Sequence, residues 1–414
     1  MTPDPEAAPQ RWLSIVGIGE DGLDGLSPAA RRLIEQAELV VGGERHLAFV
    51  EGVGPGRRMT WPSPLTDAVP RILEQRGRPV CVLASGDPFF YGVGATLAPH
   101  VDAEEVVCLP APSAFSLAAA RLGWALQDCA LVSLHGRAFE RIAPHLQPGA
   151  RILALSWDGS TPARLAAHLS AHGMGRSRLT VCEAMGGPRE RLTTMAAQDF
   201  ALQEVDPLNL VAVEIVADRD AAVLSLAAGL PDALFETDGQ ITKREIRAMT
   251  LSALAPRRGQ LLWDVGAGSG SVAVEWMLRH PANRAVAVEA RPDRAARIAR
   301  NALALGVPDL SIREGRAPAA LDGLPPPDAV FVGGGATDPA VLDAAWAALP
   351  DGGRFVVNAV TLETQAELIA RHRRFGGDLV SVQIARADAV GPFHGWRPAM
   401  PVVQWAVSKG PGRP

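Results

Sequence analysis

Asp264-Val265-Gly266-Ala267-Gly268-Ser269-Gly270 is the stretch that decides how this 414-residue chain is read. It follows an apolar strand, Leu261-Leu262-Trp263-Asp264, and leads into a helix expected from about Val272. Glycines at alternate positions remove side chains, so the backbone can press against a ligand. The N-terminus of the following helix presents unpaired N–H groups and positive potential. Glu289 ends the next strand, where an acidic side chain can accept both hydroxyls of a ribose. A dinucleotide site usually wants G-x-G-x-x-G. Here the spacing is G-x-G-x-G, with an acid two residues before the first glycine, which suits S-adenosylmethionine better. A tight strand-to-helix turn without a ligand is the bland alternative; Asp264, the glycines and Glu289 together weigh against it. Methyl transfer from an activated sulfonium then needs mainly positioning.

Around that turn, strands are expected at Ala285-Val286-Ala287-Val288, Ala329-Val330-Phe331-Val332 and Phe355-Val356-Val357, with helices between them. This is the pattern of a doubly wound α/β sheet. Gly333-Gly334-Gly335 follows the fourth strand, where ligands of such sheets gather. Gly333 and Gly334 are therefore candidates to underlie a substrate, although a flexible loop explains them equally well. Thr242-Lys243-Arg244-Glu245 fits a capping box at the start of this half. The expected organisation is an α/β domain over residues 12–216, a linker over 217–238 and a second α/β domain over 239–410. A leader rich in Pro, Ala and charge precedes them over residues 1–11.

In the first half, strands are expected at Leu13-Ser14-Ile15-Val16, Val80-Cys81-Val82-Leu83, Arg151-Ile152-Leu153-Ala154-Leu155 and over 209–216. Helices are expected at Ser27-Pro28, over 116–122 and over 162–170. Gly17-Ile18-Gly19-Glu20-Asp21-Gly22 matches G-x-G-x-x-G, but Gly25 and Ser27-Pro28 delay the helix by about five residues, which disfavours a nicotinamide or flavin. Ala84-Ser85-Gly86-Asp87-Pro88-Phe89-Phe90-Tyr91-Gly92 carries more. An ordinary turn accounts for Gly86-Asp87-Pro88, but an aromatic run in a loop marks a contact surface. Pro112-Ser113-Ala114-Phe115-Ser116 can cap a helix lining the same cleft.

Net charge is −5, with no basic stripe of the kind nucleic-acid binders carry. Cys81, Cys108, Cys129 and Cys182 lie among apolar residues without C-x-x-C spacing, so buried free thiols in a reducing compartment are expected. His168 and His172 have i, i+4 spacing, but no Glu occupies the H-E-x-x-H position and Gly173 ends the helix, so no metal is expected. The N-terminus has no secretory pattern and no apolar run approaches a membrane span. A soluble cytoplasmic protein is expected, partnered by a small-molecule substrate and further copies of itself, with no nucleic acid and no membrane.

The first half resembles the tetrapyrrole (corrin/porphyrin) methylase family through Val16-Gly17-Ile18-Gly19, Ala84-Ser85-Gly86-Asp87-Pro88, Ala118-Ala119-Ala120-Arg121-Leu122-Gly123 and Asn209-Leu210-Val211-Ala212-Val213. The second half resembles the class I methyltransferase module of cobalamin biosynthesis. That match rests on Gly239-Gln240-Ile241-Thr242-Lys243-Arg244-Glu245-Ile246-Arg247, the glycine turn, Phe331-Val332-Gly333-Gly334-Gly335 and Asn358-Ala359-Val360-Thr361-Leu362-Glu363. The resemblance implies a methylase fold of two α/β subdomains around a cleft, followed by a class I Rossmann-like methyltransferase. It further implies a precorrin substrate methylated at C5 by the first half. The second half would methylate C15 and remove carbon dioxide from the ring C acetate.

It also implies two S-adenosylmethionine sites per chain. Glu20, Ser85, Gly86, Asp87, Phe90, Ser113 and Ala114, with Ser156, Met185 and Gly186, would touch the first. Thr242, Gly266, Ala267, Gly268, Ser269, Gly270, Glu289 and Ala317 would touch the second. Related methylases often carry Pro where Glu20 stands, which points to contact through its backbone. Precorrins carry many carboxylates, so local Arg or His must offset the negative chain. Arg45, Arg121, Arg244, Arg247, His394 and Arg397 are candidates. Arg244 and Arg247, in the first turns of a helix beside Thr242, are the preferred substrate ligands. No general acid or base is identified. An RNA methyltransferase and a non-catalytic tetrapyrrole carrier are the competing readings.

Overall fold

A computed structural model describes residues 11–54 and 56–411. Apart from Arg11, the leader lies outside the described residues. The chain divides into two compact units. One holds residues up to 137 together with Gln147–Ala222, and the other holds Ala138–Leu146 with Val223–Pro414.

The first unit contains two sheets. Strands β1 (Leu13–Ile18), β2 (Leu39–Gly42), β3 (Arg57–Thr60), β4 (Val80–Ser85) and β5 (Val106–Leu109) form an all-parallel sheet in the order β3-β2-β4-β1-β5. Alternate residues of β1 serve opposite faces, as the strand period of two requires. Leu13 and Ile15 join one buried cluster, Val16 and Ile18 another. Ser27 caps the helix Pro28–Gln36, accepting a hydrogen bond from the Ala30 amide at 3.2 Å. The second sheet comprises β6 (Cys129–Ser133), β7 (Arg151–Leu155), β8 (Arg178–Glu183), β9 (Arg191–Ala196) and β10 (Asn209–Glu214), ordered β6-β7-β10-β8-β9. Only the β6–β7 pair is parallel; the other pairs are antiparallel. The expected helices are present over Ala114–Leu122 and Thr161–Ala171.

The second unit is a doubly wound sheet. Its strands are β11 (Leu261–Val265), β12 (Arg284–Glu289), β13 (Ser311–Glu314), β14 (Ala329–Val332), β15 (Arg354–Ala359), β16 (Asp378–Val382) and, beyond the exposed hairpin of β17 (Ala385–Val390) and β18 (Phe393–Pro398), β19 (Val402–Ser408). The order β13-β12-β11-β14-β15-β19-β16 places the reversal of winding between β11 and β14. Trp263 and Val265 pack on one face with Trp346, Phe355 and Trp405, while Leu262 packs on the other with Trp276 and Ile298. Residues Leu230 and Phe235 are buried in this second cluster.

Two expectations need correction. The Thr242 capping box does not form: the helix runs from Arg244 to Leu254 with Lys243 as its N-cap and no side-chain cap. Thr242 instead gives its carbonyl to Arg247. The cysteines are all free, but only Cys81 and Cys182 are buried; Cys108 and Cys129 are half-buried. Burial pushes the thiols of Cys81 and Cys182 up to about 12.

Candidate active sites

In the first unit, the loops that follow β1, β4 and β5 converge at the carboxyl end of the parallel sheet. Gly17 is needed for this approach, because a Cβ there would lie 2.0 Å from the Gly86 carbonyl oxygen and 2.4 Å from the Ala111 amide. Gly86 donates its N–H to Ile18 and accepts from Ala111, which ties the three loops together. They wall a cavity of about 160 Å³, closed on its other side by Met185 and by Asn209 and Leu210 of β10.

Glu20, Ser85, Gly86, Phe90, Ser113, Ala114 and Met185 all line this cavity, as does Tyr91. The aromatic run is a wall of it: Phe90 packs edge-on against Phe115, with ring centres 5.1 Å apart. Asp87, Ser156 and Gly186 are not among the lining residues. Asp87 shapes its turn by accepting from the Phe89 amide at 2.9 Å. Ser156 donates to Asn209, whose side chain also donates to the Asp158 and Asp206 carbonyls. Gly186 donates its amide to Glu190 at 2.7 Å, and Glu190 is gripped by Arg121 at 2.6 Å. Arg121 therefore braces this turn, while the rest of its guanidinium stays exposed.

The Glu20 carboxylate is paired with Arg45, which reaches on to Ser85 at 3.1 Å, and with Arg189 at 3.5 Å. Ser85 also meets His46 at 2.9 Å. Burial, and then the Arg45 charge, lower His46 to about 4, so it stays neutral at physiological pH. Asn209 and Arg45 are among the lining residues that the sequence did not mark as cofactor contacts. Asn209 opens a strand that signals only its apolar pattern, and Arg45 carried no motif.

The second unit builds its site on the glycine turn after β11. Glu289 at the end of β12 accepts from the Gly268 amide at 2.9 Å and from the Arg291 amide at 3.0 Å. Asp264 accepts from the Ala273 amide in the first turn of the helix Ser271–Leu278. Burial, with the Glu289 charge as a lesser cause, raises Asp264 to about 7. One Asp264 oxygen and the Ser269 hydroxyl are buried with no partner. Buried polar groups are normally paired. Two orphans beside a bare glycine turn, with a ribose-type acid next to it, fit a polar cofactor such as S-adenosylmethionine.

Gly333 and Gly334 border this turn, and Gly266 packs directly on Gly334: a Cβ on Gly266 would lie 2.6 Å from the Gly334 Cα. Closeness of backbone thus explains part of the glycine run. Ala317 is half-buried against the core cluster of Trp263 and Val265. Thr242 is half-buried at the start of its helix, and Arg244 beside it is exposed. Arg247 is the clear departure from expectation. Its side chain is fully buried, and its guanidinium is spent on Glu275 at 2.6 Å, Asp232 at 3.1 Å and the Thr242 and Leu230 carbonyls. Four of its five N–H donors are spent inside the protein and the side chain has no exposed surface, so it is not presented to a substrate. Arg397 pairs with Asp388 on the exposed hairpin at 3.0 Å.

Residues 13–201 match the family described as Tetrapyrrole (Corrin/Porphyrin) Methylases, and residues 233–409 match the Precorrin methyltransferase domain. The chain is 56% identical to a precorrin-6Y C(5,15)-methyltransferase [decarboxylating] of a Sinorhizobium species, covering 96% of this chain and 97% of that one. A protein of the same description from Mycobacterium tuberculosis is 42% identical over 95% of this chain and 99% of its own length. Among solved structures, the C-terminal domain of precorrin-6Y C5,15-methyltransferase from Rhodobacter capsulatus is 47% identical, covering 45% of this chain and all of that one, with a TM-score of 0.43.

Proposed function

The chain belongs to the precorrin-6Y C(5,15)-methyltransferase (decarboxylating) family, and on that premise we propose that it uses two S-adenosylmethionine sites, one in each unit, to methylate precorrin-6Y. The first unit takes C5. The second takes C15 and removes the ring C acetate carboxyl as carbon dioxide, so that the product is precorrin-8X. The observation that carries the two-site reading is the recurrence of one device in both units. In each, loops at the carboxyl ends of parallel strands press backbone against backbone, with polar groups lining the cavity of the first unit and buried, unpartnered polar atoms at the turn of the second.

The cofactor supplies an activated methyl group. The protein's part is to bind, orient and exclude water. In the first site, Gly86, Ser113 and Ala114 offer close backbone, Phe90 and Met185 an apolar wall, and the Glu20–Arg45 pair a charged rim. In the second, Glu289 would accept hydrogen bonds from ribose hydroxyls, while Asp264 and Ser269 hold their unspent hydrogen-bonding capacity at the turn. Exposed Arg244 remains available to substrate carboxylates; Arg247 does not. The macrocycle itself can hold the electron pair released with carbon dioxide, so no side chain is assigned as general acid or base.

No helix among the described residues is long and apolar enough to cross a membrane. The exposed apolar residues Val390, Phe393 and Trp396 of the β17–β18 hairpin support a self-associating chain, which light scattering would check. The deciding experiment incubates the purified chain with precorrin-6Y and S-adenosylmethionine and weighs the product. Gain of two methyls with loss of one carbon dioxide is expected. Calorimetry with S-adenosylhomocysteine should find two sites, with Glu289→Ala weakening one of them. A single site, or loss of both on that substitution, would sink the two-site reading.

A further inference from the structure

Residues 229–242 run across the second unit as a strap, and Arg247, Asp238 and Asn301 pin it. At its start, Glu275 accepts from the Gly229 and Leu230 amides at 2.7 and 2.8 Å and binds Arg247. Nearer its end, Asp238 meets Arg294 at 2.9 Å and Arg297 at 3.5 Å. Between them lies Asn301, on the helix Pro292–Ala304 and 2% exposed. Its amide oxygen accepts from the Glu236 N–H at 2.8 Å, and its amide nitrogen donates to the Glu236 carbonyl at 3.0 Å. The same nitrogen donates to the Ser269 carbonyl, inside the glycine turn, at 2.9 Å. One buried side chain therefore holds strap and turn at once. The consequence is visible at the strap's end, where the Gln240 carbonyl oxygen would stand only 3.2 Å from a Cβ on Gly268.

We propose that the strap is a fixed wall of the second cofactor site and that Asn301 is the positioning residue that registers this wall against the glycine turn. The inference rests on the reading of residues 266–270 and Glu289 as an S-adenosylmethionine site. Asn301 touches neither cofactor nor substrate; it acts through Ser269 and Glu236. A wall held at the wrong distance weakens binding of the cofactor while leaving the reacting groups in place. Asn301→Ala should therefore raise the KM for S-adenosylmethionine in C15 methylation and leave kcat at saturation nearly unchanged.

The test uses the full chain, with the first site as internal control. S-adenosylhomocysteine is titrated calorimetrically into wild type, Glu289→Ala, Asn301→Ala and Asp238→Ala. Asn301→Ala should weaken the Glu289-dependent site by about tenfold or more, as expected from the loss of one to two hydrogen bonds' worth of placement, and leave the other site untouched. Asp238 is a surface anchor whose removal spares the core. If Asn301→Ala fails to fold, Asp238→Ala decides: a weakened second site supports the wall, and an unchanged one overturns it. Unchanged Kd and KM in a folded Asn301→Ala, or a fall in kcat with KM unchanged, would overturn the role given to Asn301 while the cofactor reading stands. A wild-type chain with no Glu289-dependent site would overturn that reading, and the inference with it.

Discussion

Replacing Arg247 by Leu separates a structural role from a substrate-binding one. Arg247 and Glu275 are both fully buried and 2.6 Å apart. The substitution leaves the Glu275 carboxylate in the interior with only the Gly229 and Leu230 amides for company. It also strands the Leu230 and Thr242 carbonyls that Arg247 now satisfies. Breaking a buried pair by removing one partner costs about 3–5 kcal/mol, because the survivor is an uncompensated buried charge. The stranded carbonyls add to that. The expected outcome is a loss of about 4 kcal/mol in the opening free energy of the second unit, read by hydrogen exchange and mass spectrometry over residues 229–278. Replacing both partners, Arg247→Leu with Glu275→Leu, should recover only the part due to the lone buried charge, because the Leu230 and Thr242 carbonyls stay stranded and the Gly229 and Leu230 amides join them. Opening energies within about 1 kcal/mol of wild type, together with a raised KM for the precorrin, would refute the structural assignment and restore Arg247 as a substrate ligand.

Three further outcomes are expected. Asp264 titrates near 7 in the fold, mainly through burial, against roughly 3.9 when unfolded. A raised acid stabilises the fold below the lower value and loses that contribution as pH climbs through the upper one. The ligand-free second unit should therefore weaken by about 3 kcal/mol between pH 4 and 7 relative to Asp264→Asn, checked by urea unfolding of both proteins across that range. A thiol reagent at pH 8 should label Cys108 and Cys129 well before Cys81 and Cys182, whose thiols are buried and held near 12; mass mapping of the labelled sites would show it. Gly17→Ala forces a methyl into two backbone groups, and should cost about 3 kcal/mol and weaken the first S-adenosylhomocysteine site alone in calorimetry.

Much of this was legible in the sequence, for identifiable reasons. The second unit's strands announce themselves as continuous apolar runs because both of their faces are covered, and Asp264 to Gly270 marks the strand whose end carries the turn. The first unit's cleft was legible through loops that break the apolar pattern with Gly, Ser and aromatics. Its second sheet was not read as mixed, because antiparallel pairing of β8 and β10 depends on partners far apart in the chain. Arg247 misled for a related reason. A charged residue in the first turns of a helix usually faces water, and nothing local foretells that Glu275, in another helix, lies buried beside it. Asn301 was silent for the same cause: its three partners sit at Glu236 and Ser269.

The contact between Gly266 and Gly334 is not symmetrical. A methyl on Gly266 would collide with backbone at 2.6 Å and would sit on a residue whose φ is +69°, whereas a methyl on Gly334 would rest 3.4 Å from its nearest neighbour. The two sides of the second site therefore differ in how freely they can drift. In the loop after β14 that freedom belongs to Gly334: a Cβ on Gly333 would lie 2.9 Å from the Phe331 ring, and Gly335 has a φ of +82°. Gradual change is open at Gly334 and closed at Gly266, in the turn after β11.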